Sequence, residues 1–415
     1  MVKMEGAGTP QSEIPGRLDR AREAMAERDL DLLFVIGRSF YDRMGDLTFL
    51  TNHFPPFPAG AFTKENRGAG HGVLLLPRAG DPILLADRTG YRKDLVPIED
   101  VRITSIFAPT VKEALAERGL TRARAGIVGE DILPLALYRD LTAALPDVTW
   151  APADEIVRGL RSIKTEAEIA LLKTAAEIAD ASQAAAMAAC APGRTEADVC
   201  AAAIAEGMRR GADFVRYVRV HSGPWSTMGI RWPQATQRAL EEGDVVRVDV
   251  IGAFEGYQYD VLRTTCVGEP SGEVLKILEI CAEATEAAVA ACRAGVKSDD
   301  IHRTSQAVFE RAGYGQHSRA FMGHGIGLET VESPLIQKGV QDVIEEGMVL
   351  CIEPGVSVPD VAGACIEEEI IVRGDGPELI TRAPTRPWRK DGGGVSVPVR
   401  NRHTPKGEKR WSTSD

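Results

Sequence analysis

At 415 residues, with 44% apolar and 26% charged side chains, the chain exceeds one ordinary core and has a globular composition, so two domains are expected. It has no apolar run long enough for a bilayer, and Met1 to Arg17 lacks the apolar centre of a secretory signal; both point to the cytoplasm. A net charge of −11 argues against nucleic acid as the main partner.

The first thirteen residues read as a loose leader. From Ile14 to Val157, helix and strand patterns alternate: Arg17 to Arg28 suits an amphipathic helix and Asp31 to Ile36 a buried strand. Gly72 to Leu76 and Pro82 to Leu85 read as strands around the turn signal Pro-Arg-Ala-Gly-Asp. Val111 to Arg118 and Leu133 to Leu145 suit helices, with a strand at Arg124 to Val128 between them. This predicts a mixed α/β domain. The Pro- and aromatic-containing stretch after Asn52 is too long for a tight connection; it reads first as an ordinary surface excursion, with a lid or binding loop as the alternative.

A second unit spans residues 158–385. Thr165-Glu-Ala-Glu168 is a capping-box signature that opens an Ala-rich helix ending before Pro192-Gly193, and Thr195-Glu-Ala-Asp198 opens another that reaches Arg210. Helices are also expected from Gly272 to Ala294 and from Ser298 to Ala312. Residues 386–415, rich in Gly, Ser, Pro and charge, read as a disordered basic tail. The seven cysteines (Cys190, Cys200, Cys266, Cys281, Cys292, Cys351 and Cys365) form no Cys-x-x-Cys pair and are odd in number, so they read as reduced, mostly buried thiols.

The informative pattern is acidic. Val245 to Val250 alternates as a strand carrying Asp249, Gly252 to Gly256 supplies a turn, and Tyr257 to Arg263 returns with Asp260. Met348 to Glu353 is an apolar strand ending in a carboxylate, Pro354 to Gly363 connects, and Ala364 to Val372 returns with Cys365, Glu367 and Glu369 on one face. His324 lies between the two hairpins in Gly-His-Gly. Ionised carboxylates on strands this apolar need partners. The nearby bases, mainly Arg247 and Arg263, do not balance four acids, whereas two divalent cations do. The oxygen-rich ligand set with one nitrogen suits Mn²⁺, Co²⁺, Fe²⁺ or Zn²⁺. Paired ions can deprotonate a bridging water and polarise a carbonyl together; from spacing alone, scattered structural acids remain the alternative.

At these residues the chain resembles the pita-bread metallopeptidases: prolidase, aminopeptidase P, methionine aminopeptidase and their relative creatinase. The matching stretches are Leu240-Glu-Glu-Gly-Asp-Val-Val-Arg-Val-Asp249, Gly256-Tyr-Gln-Tyr-Asp-Val-Leu-Arg-Thr264, Gly323-His-Gly-Ile-Gly-Leu-Glu329, Glu346-Gly-Met-Val-Leu-Cys-Ile-Glu-Pro-Gly355 and Gly363-Ala-Cys-Ile-Glu367. The resemblance implies an α/β (α+β) fold, with a creatinase/prolidase-like N-terminal domain followed by a pita-bread catalytic domain, in a homodimer. It implies that Asp249 and Asp260 bind a first metal, that His324 and Glu353 bind a second, and that Asp260 and Glu367 bridge. Glu353 would also handle the proton of the attacking water. Mn²⁺ is the first expectation among the metals.

Two histidines of the family pattern are absent. Ile230, Arg231 and Trp232 stand where one is expected, with His221 displaced by some nine residues, and Val331 replaces the other; Cys365 replaces an arginine. Arg231 is either a candidate catalytic cation able to clamp a carboxylate or phosphate, or a surface arginine beside a Trp. His53, His71, His302 and His317 read as structural or surface residues. The leading expectation is a di-metal hydrolase of the Xaa-Pro dipeptidase or aminopeptidase type, in which a bridging hydroxide attacks an amide carbonyl of a short peptide. A non-peptide C–N hydrolase, a metal-assisted lyase or decarboxylase acting on a small carboxylic acid, and a non-catalytic binding protein stay open.

Overall fold

The computed structural model describes residues 8–58, 63–87 and 90–389. The start of the expected leader, residues 59–62 of the Pro-rich loop, and the tail from residue 390 lie outside them.

The Leu-Leu-Phe-Val-Ile run becomes β1 (Leu32–Arg38), a strand buried on both faces. Leu33 and Val35 pack toward α1 (Ile14–Glu27), while Leu32, Phe34 and Ile36 pack on the opposite side. After α2 (Gly45–Thr51) come β2 (His71–Pro77), β3 (Ile83–Ala86) and β4 (Asp100–Ile103). Then follow α3 (Phe107–Glu117), β5 (Arg124–Val128), α4 (Leu135–Ala144), β6 (Thr149–Pro152) and α5 (Asp154–Ser162). The sheet order is β4-β3-β2-β1-β5-β6. Antiparallel β1–β2 and β2–β3 pairs sit between parallel pairs on either side, so the sheet is mixed.

The second half repeats one plan twice, two helices laid over antiparallel strands. Both expected capping boxes form, Thr165 with Glu168 and Thr195 with Asp198, at the starts of α6 (Glu166–Ala189) and α7 (Glu196–Arg209). These helices cover the sheet β7 (Phe214–Ser222), β8 (Val245–Phe254) and β9 (Tyr257–Cys266). The buried Gln183 of α6 donates to the carbonyls of Val248 and Val261, at 2.9 and 2.5 Å, tying the helix to both strands of the hairpin.

In the second copy, α8 (Gly272–Ala291) and α9 (Ser298–Arg311) pack on strands β10 (Phe321–Gly325), β11 (Glu332–Gln337), β12 (Val349–Ile352), β15 (Glu368–Arg373) and β16 (Gly376–Leu379). Their order is β11-β10-β12-β15-β16. The hairpin β13 (Gly355–Val358) and β14 (Ala362–Cys365) stands beside them.

Three expectations need correction. Strand β8 runs on to Phe254, and the turn is Glu255-Gly256, both at positive φ (49° and 84°). Such a two-residue turn matches the twist of a hairpin. The stretch from Pro354 to Gly363 is largely strand, and the single return strand is split into β14 and β15, with Ile366 and Glu367 between them. The segment from Arg386 to Arg389 is docked: Trp388 is buried, and its indole N–H donates to Glu279 at 3.0 Å.

The two halves share a core. Leu33, Val35 and Leu74 of the first belong to one apolar cluster with Ile326, Leu328, Val349 and Ile371 of the second. None of the described helices is long and apolar enough to cross a membrane.

Candidate metal centre

Strand register brings the acids together. Asp249 on β8 lies opposite Leu262 of β9, and Asp260 lies opposite Ile251. Asp260 is therefore two residues from the partner of Asp249, and the two carboxylates are diagonal neighbours on one face. On the other sheet, β10 sets His324 opposite Cys351 of β12, and Glu353 follows with its N–H bonded to Met322 O at 2.9 Å. Glu367, in the break between β14 and β15, donates its N–H to Leu262 O at 3.0 Å. Leu262 thus fixes the last acid beside the first. The split of the return strand is what lets Glu367 reach across to β9.

Asp249, Asp260 and Glu367 each present an oxygen within 4.8 Å of the others. His324 Nε2 lies 3.8 Å from Asp260, 3.7 Å from Glu353 and 3.9 Å from Glu367. The other ring nitrogen, Nδ1, faces Gly325 O at 2.9 Å. A carbonyl only accepts, so Nδ1 carries the hydrogen and Nε2 is the nitrogen left to face the acids and any cation between them.

Burial, then the neighbouring acids, hold Asp260 and Glu367 well above the ordinary carboxylate range. Burial raises Glu353 as well, against the pull of His324 and Arg319. Asp249 Oδ1 and Glu367 Oε1 are buried with no hydrogen-bond partner. Orphaned buried oxygens of this kind are costly. These orphaned oxygens, with Asp260 beside both and His324 Nε2 3.9 Å from Glu367 Oε1, form a donor set that fits divalent cations.

The bases expected to flank the cage are occupied elsewhere. Arg247 donates to the carbonyls of Ser226 and Met228, and burial lowers it to about 10. Arg263 is paired with Glu368 at 3.0 Å and holds Ala383 O.

Two other arginines reach the cage. Arg219 of β7, in register with Asp249, donates to Asp249 Oδ2 at 2.7 Å and to Tyr217 Oη at 2.8 Å. Arg319, just before β10, lies 3.7 Å from Glu353 Oε2 and 3.7 Å from the Cys365 sulfur. It brings a guanidinium beside the position that lacks the family arginine. The signal for Arg219 was its place in the β7 alternation, legible only once the β7–β8 register is known.

Arg231 does not face the five residues. Its Nη2 donates to Glu196 at 2.6 Å and to Val220 O at 2.9 Å. The fully buried Glu196 also accepts from Ser222 and Thr236, so Arg231 fastens the 222–236 loop. Ile230 and Trp232 beside it are exposed, as is Val331. His221 is buried against Met228 O and is lowered by burial to about 4, a neutral structural imidazole. His53, His71 and His302 are buried, as structural residues would be.

Residues 170–374 match metallopeptidase family M24, and residues 17–163 match the creatinase/prolidase N-terminal domain. The "Probable dipeptidase PepE" of Mycobacterium tuberculosis is 37% identical over 317 residues, covering 75% of this chain and 84% of that protein. The chain belongs to metallopeptidase family M24. A relative named Xaa-Pro dipeptidase, from Pyrococcus horikoshii, is 29% identical over 61% of this chain and 72% of its own length.

Among solved structures, dipeptidase PepE from Mycobacterium ulcerans superposes with a TM-score of 0.78 at 27% identity, covering 91% of this chain and 98% of that one. The Xaa-Pro dipeptidase from Bacillus anthracis gives 0.77 at 28%, covering 89% and 98%. The fold is thus the pita-bread architecture with its creatinase-type N-terminal domain, and the chain is a metal-dependent peptidase of the M24 family. The lyase, C–N hydrolase and scaffold alternatives are not favoured.

Proposed function

We propose that this chain is a di-metal Xaa-Pro dipeptidase whose ions are held by Asp249, Asp260, His324, Glu353 and Glu367, with Asp260 and Glu367 shared between the two positions. The observation that carries this reading is the convergence of buried acid oxygens, two of them orphaned, with His324 Nε2 at 3.7–3.9 Å from three of the acids. Mn²⁺ is the proposed metal, with Co²⁺, Fe²⁺ and Zn²⁺ also suited to an oxygen-rich cage. Bound there, a pair of divalent cations supplies Lewis acidity toward an amide carbonyl and lowers the pKa of a water toward neutrality.

Glu353 takes the proton of the attacking water and returns it to the leaving nitrogen. It has one oxygen on the His324 side and the other on the Arg319 side, so one oxygen can ligate while the other handles the proton. Arg219 orients Asp249, with Oδ2 tied back and Oδ1 free. The working form is proposed to be a cytoplasmic homodimer acting on short peptides, its assembly read by light scattering.

Metal content of the purified protein, followed by turnover of Xaa-Pro and non-prolyl dipeptides with added Mn²⁺ or Co²⁺, tests the reading. About two ions per chain and preferential Xaa-Pro cleavage are expected, with Glu353→Gln losing about 10²–10⁴-fold in kcat while folded. Protein that binds no metal, or that cleaves only non-prolyl peptides, would sink it.

A further inference from the structure

One row of residues crosses the five-stranded sheet as His324, Cys351 and Glu369, because β10, β12 and β15 pair in that register. Directly opposed residues on neighbouring strands point to one face, with Cβ atoms about 4.5–5.5 Å apart. The Cys351 side chain therefore leaves the sheet on the same side as His324. The sulfur, a His324 nitrogen and a Glu367 oxygen all lie within 4.8 Å of one another, and all three residues are buried. Glu367 Oε1 lacks a hydrogen-bond partner. The thiol has only a long contact, 3.9 Å to Asp260 O. The neighbouring Cys365 is differently placed, with its sulfur 3.4 Å from Glu353 O and Arg319 at 3.7 Å.

We propose that Cys351 ligates the ion on the His324 side of the cage. This rests on the di-metal reading above and sharpens it, because the two positions then differ in kind. One draws on the oxygens of Asp249, Asp260 and Glu367. The other combines imidazole nitrogen, thiolate sulfur, the carboxylate of Glu353 and the shared Asp260 and Glu367. A thiolate is a soft donor, so the second position selects Zn²⁺, Co²⁺ or Fe²⁺ over Mn²⁺, while the all-oxygen position keeps its preference for harder ions. As the sulfur–metal bond forms, the thiol proton leaves to solvent and no electron is transferred.

The test uses the whole chain stripped of metal and reloaded with Co²⁺, and in parallel with Zn²⁺. The expected result is a sulfur-to-cobalt charge-transfer band in the near ultraviolet, lost in Cys351→Ser and kept in Cys365→Ser. Zinc X-ray absorption should place one sulfur at about 2.3 Å, distinct from nitrogen and oxygen nearer 2.0–2.2 Å. Zn²⁺ affinity should fall on the order of tenfold or more in Cys351→Ser, and Mn²⁺ affinity should fall far less. Bound cobalt without a sulfur band in the unmutated protein, or a band that survives in Cys351→Ser, overturns this inference and leaves the di-metal reading standing. Protein that binds no cobalt overturns both.

Discussion

Arg219 and Asp249 face each other across the β7–β8 ladder, and the guanidinium is further held by the Tyr217 hydroxyl and lies over its ring at 4.6 Å. Groups that orient a ligating carboxylate typically contribute about 10–100-fold in metal affinity. Arg219→Leu is expected to lose that much, read as metal retained after dialysis against a weak chelator, and Tyr217→Phe to lose less. Unchanged retention in Arg219→Leu would mean that Asp249 needs no orienting partner. Arg231 makes the contrasting case. Its removal leaves Glu196 buried without its counter-ion, so Arg231→Ala should destabilise on the order of 3 kcal/mol by denaturant unfolding. Turnover per folded molecule should move only a few-fold. A large loss of kcat at unchanged stability would return Arg231 to the catalytic role suggested by its place in the chain.

Helix starts carry their own signals, which is why the capping boxes at Thr165 and Thr195 were readable in advance and their helices end within two residues of expectation. Thr195→Ala removes the bond accepted from the Asp198 N–H and should cost about 1 kcal/mol, measured by urea unfolding, with activity unaltered. The acidic hairpins were legible for a related reason: alternation on β8 and β9 fixes which face each carboxylate takes. The break between β14 and β15 was not, because Ala364 to Val372 is continuously apolar or acidic and contains no turn residue. That break depends on partners distant in sequence, Thr264 accepting the Cys365 N–H and Leu262 O accepting that of Glu367. The same holds for Arg219 and Arg319, whose relevance follows from pairing rather than from any local motif.

At the scale of the whole molecule, the two domains meet at a buried charge cluster just beyond His324. Arg161 of α5 bonds Asp46 of α2 at 2.5 Å and pairs with Glu332 of β11, which also holds Lys164 at 3.1 Å. Glu329 accepts the Gly45 N–H at 2.5 Å and faces Arg43 at 3.7 Å. The two glutamates titrate in opposite senses. Burial opposes ionisation at both, but Arg161 and Lys164 outweigh it at Glu332, which is held down to about 2. Glu329 has weaker compensation from Arg161 and Arg43, and burial pushes it up to about 7.

Between about pH 4.5 and 7 the folded protein therefore keeps a proton on Glu329 that the unfolded chain has released, and this group's contribution makes stability decline as pH rises through that window. Glu332 acts below it, losing its contribution as pH falls from about 4.5 toward 2. The expected outcome is that Glu329→Gln, which keeps an acceptor for the Gly45 N–H, flattens the fall in unfolding free energy between pH 5 and 7 by up to about 3 kcal/mol relative to the unmutated chain. Urea titrations at several pH values measure it directly. Identical pH slopes for the two proteins would mean that Glu329 is already ionised at the domain joint, and that Arg43 and Arg161 compensate its burial in full.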